Sequence, residues 1–326
     1  MSALDTVFPK EDRPSQGNRG LGVVLLGDFE TGKTFFIGTC PETVILLDLD
    51  DGTEAMWEQY DFVSDETYEG NFAGKDIRVI EIPISSSLEE SGLDDVDDIE
   101  DIEFETNLVN AIENYEKEFA KVEALARGGH LKGCTVALDT ATWLWLGCMD
   151  YMKYKVLKLD TTAKNYVNQQ WDWDIANKKY INLYKRLMAL RKYGVNVVIT
   201  VHVKEAYEAS SSNGRTSVSK TDNLVPHWMK KSPQMSPLIL QIDKKVVVED
   251  GKAVEKRMTR CVRMRGVPNA KKLFKPIEDI TYQKLLEELH NVRLRSEGKL
   301  VEGDEQEATS TTTTPPTVRR RTRRVV

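Results

Sequence analysis

The 326-residue sequence contains no run of 18 apolar residues, so it offers no helical membrane span. Its opening, MSALDTVFPKEDRPSQGNRG, lacks the apolar stretch of a secretory signal and reads as a solvated arm. Cysteines number four, and Cys40, Cys134, Cys148 and Cys261 are scattered with no CxxC pair. That spacing argues against a zinc site and a disulfide framework, and for buried thiols in a reducing cytoplasm. No internal repeat is found. What is present is 40% hydrophobic and 30% charged residues, the balance of a globular chain. The length suits one large α/β domain with appendages, or two small domains.

The net charge of −7 is unevenly placed. Glu89 to Glu105 carries ten acids and no base, and VRRRTRRVV at the C-terminus carries five arginines and no acid. Local patches, not the average, therefore decide affinity for nucleic acid.

Five strands can be read along the chain: Gly22–Leu26, TVILLDLD and CTVALDT as buried strands, DIRVIEIPI (Asp76–Ile84), which alternates and then runs apolar, and VNVVITVHV. Helices alternate with them. A brief one starts at Gly32 or Lys33 and stops near Pro41. The acidic stretch 89–103 reads as a solvated loop leading to a helix over Thr106–Arg127, and a longer helix covers 171–193 with Gly194 as its C-cap. Glu205 to Pro237 reads as a long irregular loop. LILQIDKKVVV and KRMTRCVRMRG form a β-hairpin with Asp250-Gly251 in its turn, and TYQKLLEELHNVRLRSEG a short helix. The fold class is α/β, a mostly parallel sheet flanked by helices, with a C-terminal hairpin and disordered tails. The division is an arm over 1–20, one domain over 21–290 and a low-complexity tail with a basic end over 291–326.

GDFETGKT, Gly27 to Thr34, fits G-x-x-x-x-G-K-[ST] and sits between a strand and a helix. Gly27 turns the chain off the strand, and Gly32 lets the backbone approach a phosphate. The main chain of Asp28, Phe29, Glu30, Thr31 and Gly32, running on to Phe35, then faces an anion. Lys33 reaches the β- and γ-phosphates of ATP, and Thr34 offers a hydroxyl to Mg²⁺. Glu30 puts a carboxylate in this loop, so its side chain must point outward. Asp139, closing TVALD, completes the magnesium site with Thr34 through water. Asp48, Asp50 and Asp51 end the second strand. Asp50 is the first choice, and Asp48 the second, for the carboxylate that orients an attacking water. His202 stands near the end of the fifth strand, placed to sense the γ-phosphate.

In this order, the phosphate loop, its short helix, ILLDLDDG, VALDTATWLW and LRKYGVNVVITVHVKE resemble the RecA-like ATPases of phages and other viruses, including those linked to single-strand-annealing recombination. The resemblance covers about residues 20–265. It implies a RecA-like core, Asp50 as general base where the family commonly has glutamate, and His202 as a polar switch linking nucleotide to a DNA-binding loop. That loop would be Ala206–Pro237, with a second around Lys153–Gln170. It further implies a homo-oligomer, ring or filament, completed by cations such as Arg263, Arg265, Lys271 and Lys272. The expected partners are single-stranded DNA and a single-strand-binding or replication protein, in the cytoplasm. Lys204, Arg215, Lys220, Lys230 and Lys231 could track a backbone while Trp228 stacks on a base. Two other readings stay open: a motor or loader acting on protein partners, and a small-molecule kinase. Against the kinase, no lid with paired arginines precedes the fifth strand.

Overall fold

A computed structural model describes residues 19–299, except 42, 51–52, 54–55, 57, 62–65, 70–71, 73, 83–96, 160–169, 213–214 and 250–251. The N-terminal arm, the arginine-rich tail, Asp51 and Asp250-Gly251 thus lie outside the described residues.

The chain opens with β1 (Gly22–Gly27), followed after the glycine loop by α1 (Lys33–Gly38) and β2 (Val44–Asp48). A separate antiparallel pair, β3 (Glu58–Asp61) and β4 (Glu66–Glu69), precedes β5 (Ile77–Glu81). Next come α2 (Asp97–Arg127), β6 (Thr135–Asp139) and α3 (Ala141–Asp150), which runs into a π-helical stretch at Tyr151–Val156. α4 (Gln170–Ala189) ends in a 3₁₀ turn, and Gly194 at φ 78° closes it before β7 (Asn196–Ser212) and β8 (Arg215–Pro226). The short α5 (Ser232–Met235) leads to β9 (Leu238–Glu249) and β10 (Lys252–Met264). The described chain closes with α6 (Ala270–Leu273), β11 (Ile277–Glu278) and α7 (Tyr282–Ser296).

Nine strands form one sheet in the order β11-β10-β9-β1-β7-β6-β2-β5, with β8 hydrogen-bonded to the outer part of β7. β9, β1, β7, β6, β2 and β5 are mutually parallel, and β10 and β11 complete an antiparallel edge. β1, β2 and β6 are buried along their whole length, as near-continuous apolar strands covered on both faces should be. Side chains alternate between two cores. Val24, Leu26, Ile45 and Leu47 meet Ile112, Phe119, Leu144 and Tyr180 of α2, α3 and α4. Val23, Leu25, Val44 and Leu46 meet Phe36 of α1 and Leu285 of α7 on the other face. This is the three-layer α/β fold expected. No helix among the described residues is long and apolar enough to cross a membrane.

Three expectations need correction. α2 begins at Asp97, not Thr106, so part of the acidic stretch is helical. An acidic composition is compatible with a helix start, because the positive end of the helix dipole favours acids in the first turn. The expected loop after Glu205 is instead mostly β: β7 continues to Ser212 and pairs antiparallel with β8, Ser212 opposite Arg215. The unread signal was Asn213-Gly214, a dipeptide strongly preferred in two-residue hairpin turns, hidden within a serine-rich composition. Finally, the start of Lys153–Gln170 is π-helical, and Lys153 and Lys155 pair with Asp150 and Glu113 at 2.8 and 3.1 Å; residues 160–169 lie outside the described residues.

Leu138 is fully buried on the face of β6 that packs against α2, α3 and α4, one residue before Asp139. Leu138→Ala is expected to destabilise the fold by about 2–5 kcal/mol, read from urea unfolding, through lost transfer energy and the cavity left behind.

Candidate functional site

The loop from Gly27 to Thr34 leaves β1 at its carboxyl end. A Cβ on Gly27 would lie 2.4 Å from Thr31 Oγ1 and 3.2 Å from the Ile242 carbonyl oxygen, so a larger residue there would have to displace the Thr31 side chain. Thr31 donates to the Asp28 carbonyl at 2.9 Å, and the Phe29 amide to Asp28 Oδ1 at 2.9 Å. Gly32 has φ 87°, a left-handed conformation that disfavours any Cβ. The Phe36 amide then bonds Gly32 O at 3.0 Å and α1 begins. Phe35 is 39% exposed beside the loop.

Lys33 is buried, and its ammonium donates to the carbonyls of Asp28 and Gly27 at 2.6 and 3.2 Å. Burial lowers its pKa, against the pull of Asp139, Asp50 and Asp28. Thr34 Oγ1 donates to Asp139 Oδ2 at 2.7 Å, and Thr200 of β7 donates to the other oxygen. Burial raises the Asp139 pKa, while these two hydroxyls oppose the rise. Thr34 and Asp139 present hard oxygen donors from two elements at one point, which suits Mg²⁺. Among the described residues no three His, Cys, Asp or Glu side chains could cage a metal. Two protein donors that leave the remaining positions to phosphate and water match the usual manner of magnesium binding.

Asp48 lies level with Asp139 across the β2–β6 register. It accepts from the Asp50 amide at 2.9 Å and from Thr53 Oγ1 at 2.8 Å, and burial pushes its pKa up to about 6. Asp50 turns the other way, accepting from Trp143 Nε1 at 2.5 Å and contacting His202 Nε2 at 3.1 Å. Burial works to raise its pKa, but the His202 and Trp143 hydrogen bonds prevail and hold it below the usual carboxylate range. His202 is level with Gly27 in the β1–β7 register, and Phe29 stacks on its ring at 4.5 Å. Its amide donates to Thr142 Oγ1 at 3.0 Å, and its buried Nδ1 has no partner among the described residues.

Lys33, Thr34, Asp48, Asp50, Asp139 and His202 are thus gathered at one edge of the sheet. Glu30 points outward, its side chain 84% exposed and paired with Lys244 at 3.1 Å. Trp228 is placed differently from expectation: it is 8% exposed and packs edge-on against Tyr184, so it is not free to stack on a base. Lys204, Lys230 and Lys231 are exposed; the side chains of Arg215 and Lys220 lie outside what is described. Arg263 and Arg265 sit at the amino end of β9: Arg263 pairs across from Ile239 and bonds Pro233 O, and the Arg265 amide bonds Pro237 O. α6, with Lys271 and Lys272, follows them.

The cations beside the loop are others, Lys244 and Arg257, which face each other across β9 and β10. Arg257 Nη1 lies 3.5 Å from where a Gly32 Cβ would be. Sequence reading missed both because nothing local links residues 244 and 257 to the loop. The hairpin register was legible, and it places them side by side. Trp143 and Thr200 were missed too, although each lies inside a stretch already singled out, VALDTATWLW and VNVVITVHV.

A family model described as an AAA domain matches residues 19–268. No curated protein matches the chain.

The raised Asp48 pKa has a signed consequence. Below about pH 4 the group is protonated folded and unfolded. Between about 4 and 6 the folded state keeps the proton and the unfolded state loses it, so this contribution to stability falls as pH rises. Asp48→Asn is expected to flatten that limb in urea titrations across this range; an unchanged slope would contradict the assignment.

Proposed function

The chain belongs to the AAA-domain family of P-loop ATPases, and from that premise we propose that it binds and hydrolyses Mg-ATP at Gly27–Thr34 and uses the cycle to act on single-stranded DNA in recombination, annealing or replication. Main-chain amides of the loop and the Lys33 ammonium neutralise the phosphates. Thr34 and Asp139 would hold Mg²⁺, which would supply positive charge to offset that of the phosphate oxygens. Asp50 stays ionised, and each carboxylate oxygen, though engaged by Trp143 or His202, keeps a lone pair for the attacking water. His202 reports the nucleotide state through its contacts with Asp50 and Phe29.

The observation that carries this reading is the continuity of β7. The strand that holds His202 level with the phosphate loop runs on as one strand into the β7–β8 arm, whose pairing shifts register between Glu205 and Tyr207. A shift at His202 therefore acts on the root of the arm, where Lys204 is exposed. The basic tail adds phosphate contacts, and the working form is a homo-oligomer, ring or filament, that meets a single-strand-binding or replication protein. A second reading, a motor or loader working on protein partners, is favoured by the burial of Trp228, which removes an aromatic platform for bases.

ATP turnover at fixed salt is expected to rise when single-stranded DNA is added. No stimulation, together with no DNA binding at low salt, would leave the protein-partner reading in its place. Asp50→Asn is expected to keep Mg-ATP affinity within about twofold while lowering kcat by about 10²–10⁴. Lys33→Ala is expected to weaken Mg-ATP binding by more than about tenfold, measured by calorimetry.

A further inference from the structure

The phosphate loop has two unlike flanks. On the β7 and β6 side stand Asp139, Asp50 and His202. On the β9 and β10 side lies a cavity of about 380 Å³ that begins at Thr31 and Gly32 of the loop itself. Its size is that of a small-molecule pocket. One wall is the half-exposed ring of Phe35, and another is aliphatic, from Ile242 and Ile280. Arg257 reaches over Gly32, and Asp279 stands at the rim.

Asp279 is built into place. It has φ 43°, its amide donates to Arg257 O at 2.9 Å, and Lys284 Nζ donates to its carbonyl at 3.0 Å and to that of Glu278 at 2.8 Å. Its carboxylate makes no hydrogen bond among the described residues. The bend is thus fixed by main-chain contacts while the acceptor remains free for a ligand. Asp279 and Ile280 lie beyond residue 268, where the AAA-domain match ends, so this wall is contributed by the chain's own C-terminal segment.

We propose that this cavity receives the nucleoside half of the bound nucleotide, and that Asp279 is a specificity-determining residue that accepts hydrogen bonds from nucleoside donors. The proposal rests on the phosphate-loop reading above. Phosphates held by the loop with their reactive end toward Asp139 and His202 leave the nucleoside on the opposite flank. There Phe35, Ile242 and Ile280 offer apolar surface to a flat ring, and Arg257 sits where the phosphate chain leaves Gly32. Two sources supply donors to a carboxylate, the ribose hydroxyls and an exocyclic amine on the base.

Calorimetry on the full chain with Mg-ATP and with Mg-tripolyphosphate separates the two halves of the site. Asp279→Asn suits the test, because asparagine tolerates the left-handed backbone and removes only the charge and half of the acceptor capacity. It is expected to weaken ATP by about ten- to a hundredfold, the range for a hydrogen bond to a charged group, and to leave tripolyphosphate unchanged. Phe35→Ala should likewise weaken ATP alone. 2′,3′-Dideoxy-ATP and inosine triphosphate then identify the donor: wild type should discriminate against one of them, and Asp279→Asn should lose that discrimination. Wild-type affinity for ATP in Asp279→Asn, or an equal loss for ATP and tripolyphosphate, would overturn the proposal. So would a wild type that binds ATP no better than tripolyphosphate, although the phosphate loop would then stand. Failure of the wild type to bind either compound would remove the phosphate-loop reading and the pocket with it.

Discussion

Parallel pairing in strict register is the constraint on which this molecule depends. It brings Gly27 level with His202 and Asp48 level with Asp139, so groups up to 175 residues apart arrive at one edge of the sheet. The crossover helices bury both faces of the sheet, leaving strand ends as the natural places for polar side chains. Chemistry collects there because the interior has no room for it.

Gathering charge at a buried edge is unfavourable unless the charges answer one another. Lys33, Asp48 and Asp139 are each shifted by burial toward their neutral forms, and Asp50 alone is held firmly ionised. The hydroxyls of Thr34, Thr53 and Thr200 supply hydrogen bonds that carry no charge of their own. A bound polyanion with its metal would add charges of both signs to this balance, so stability and ligand occupancy should be coupled through these residues.

Much of the arrangement was legible because its signals are local. The phosphate loop, the strands that end in Asp48 and Asp139, and the Gly194 cap each occupy a few consecutive residues whose spacing states the geometry. The unread parts depend on distant partners. Lys244 and Arg257 become neighbours of the loop only once β9 pairs with β1. Trp228 looked like a surface aromatic in a flexible loop, but Tyr184 of α4 covers it. The β7–β8 arm was missed because polar, serine-rich strands lack the alternation that marks a half-buried sheet. The acidic start of α2 misled in the opposite direction, since charge of one sign reads as solvated loop unless the helix dipole is considered.

The sheet finishes in β11, two residues long, with Lys256 of the adjoining strand paired to Glu278 at 3.1 Å. So brief a margin, occupied by opposite charges, gives an incoming strand almost no ladder to extend. A strand seeking to extend this sheet would therefore find little purchase on β11 itself and would have to pair with β10 beside it, where, among the described residues, β11 takes only Met258 and Thr259.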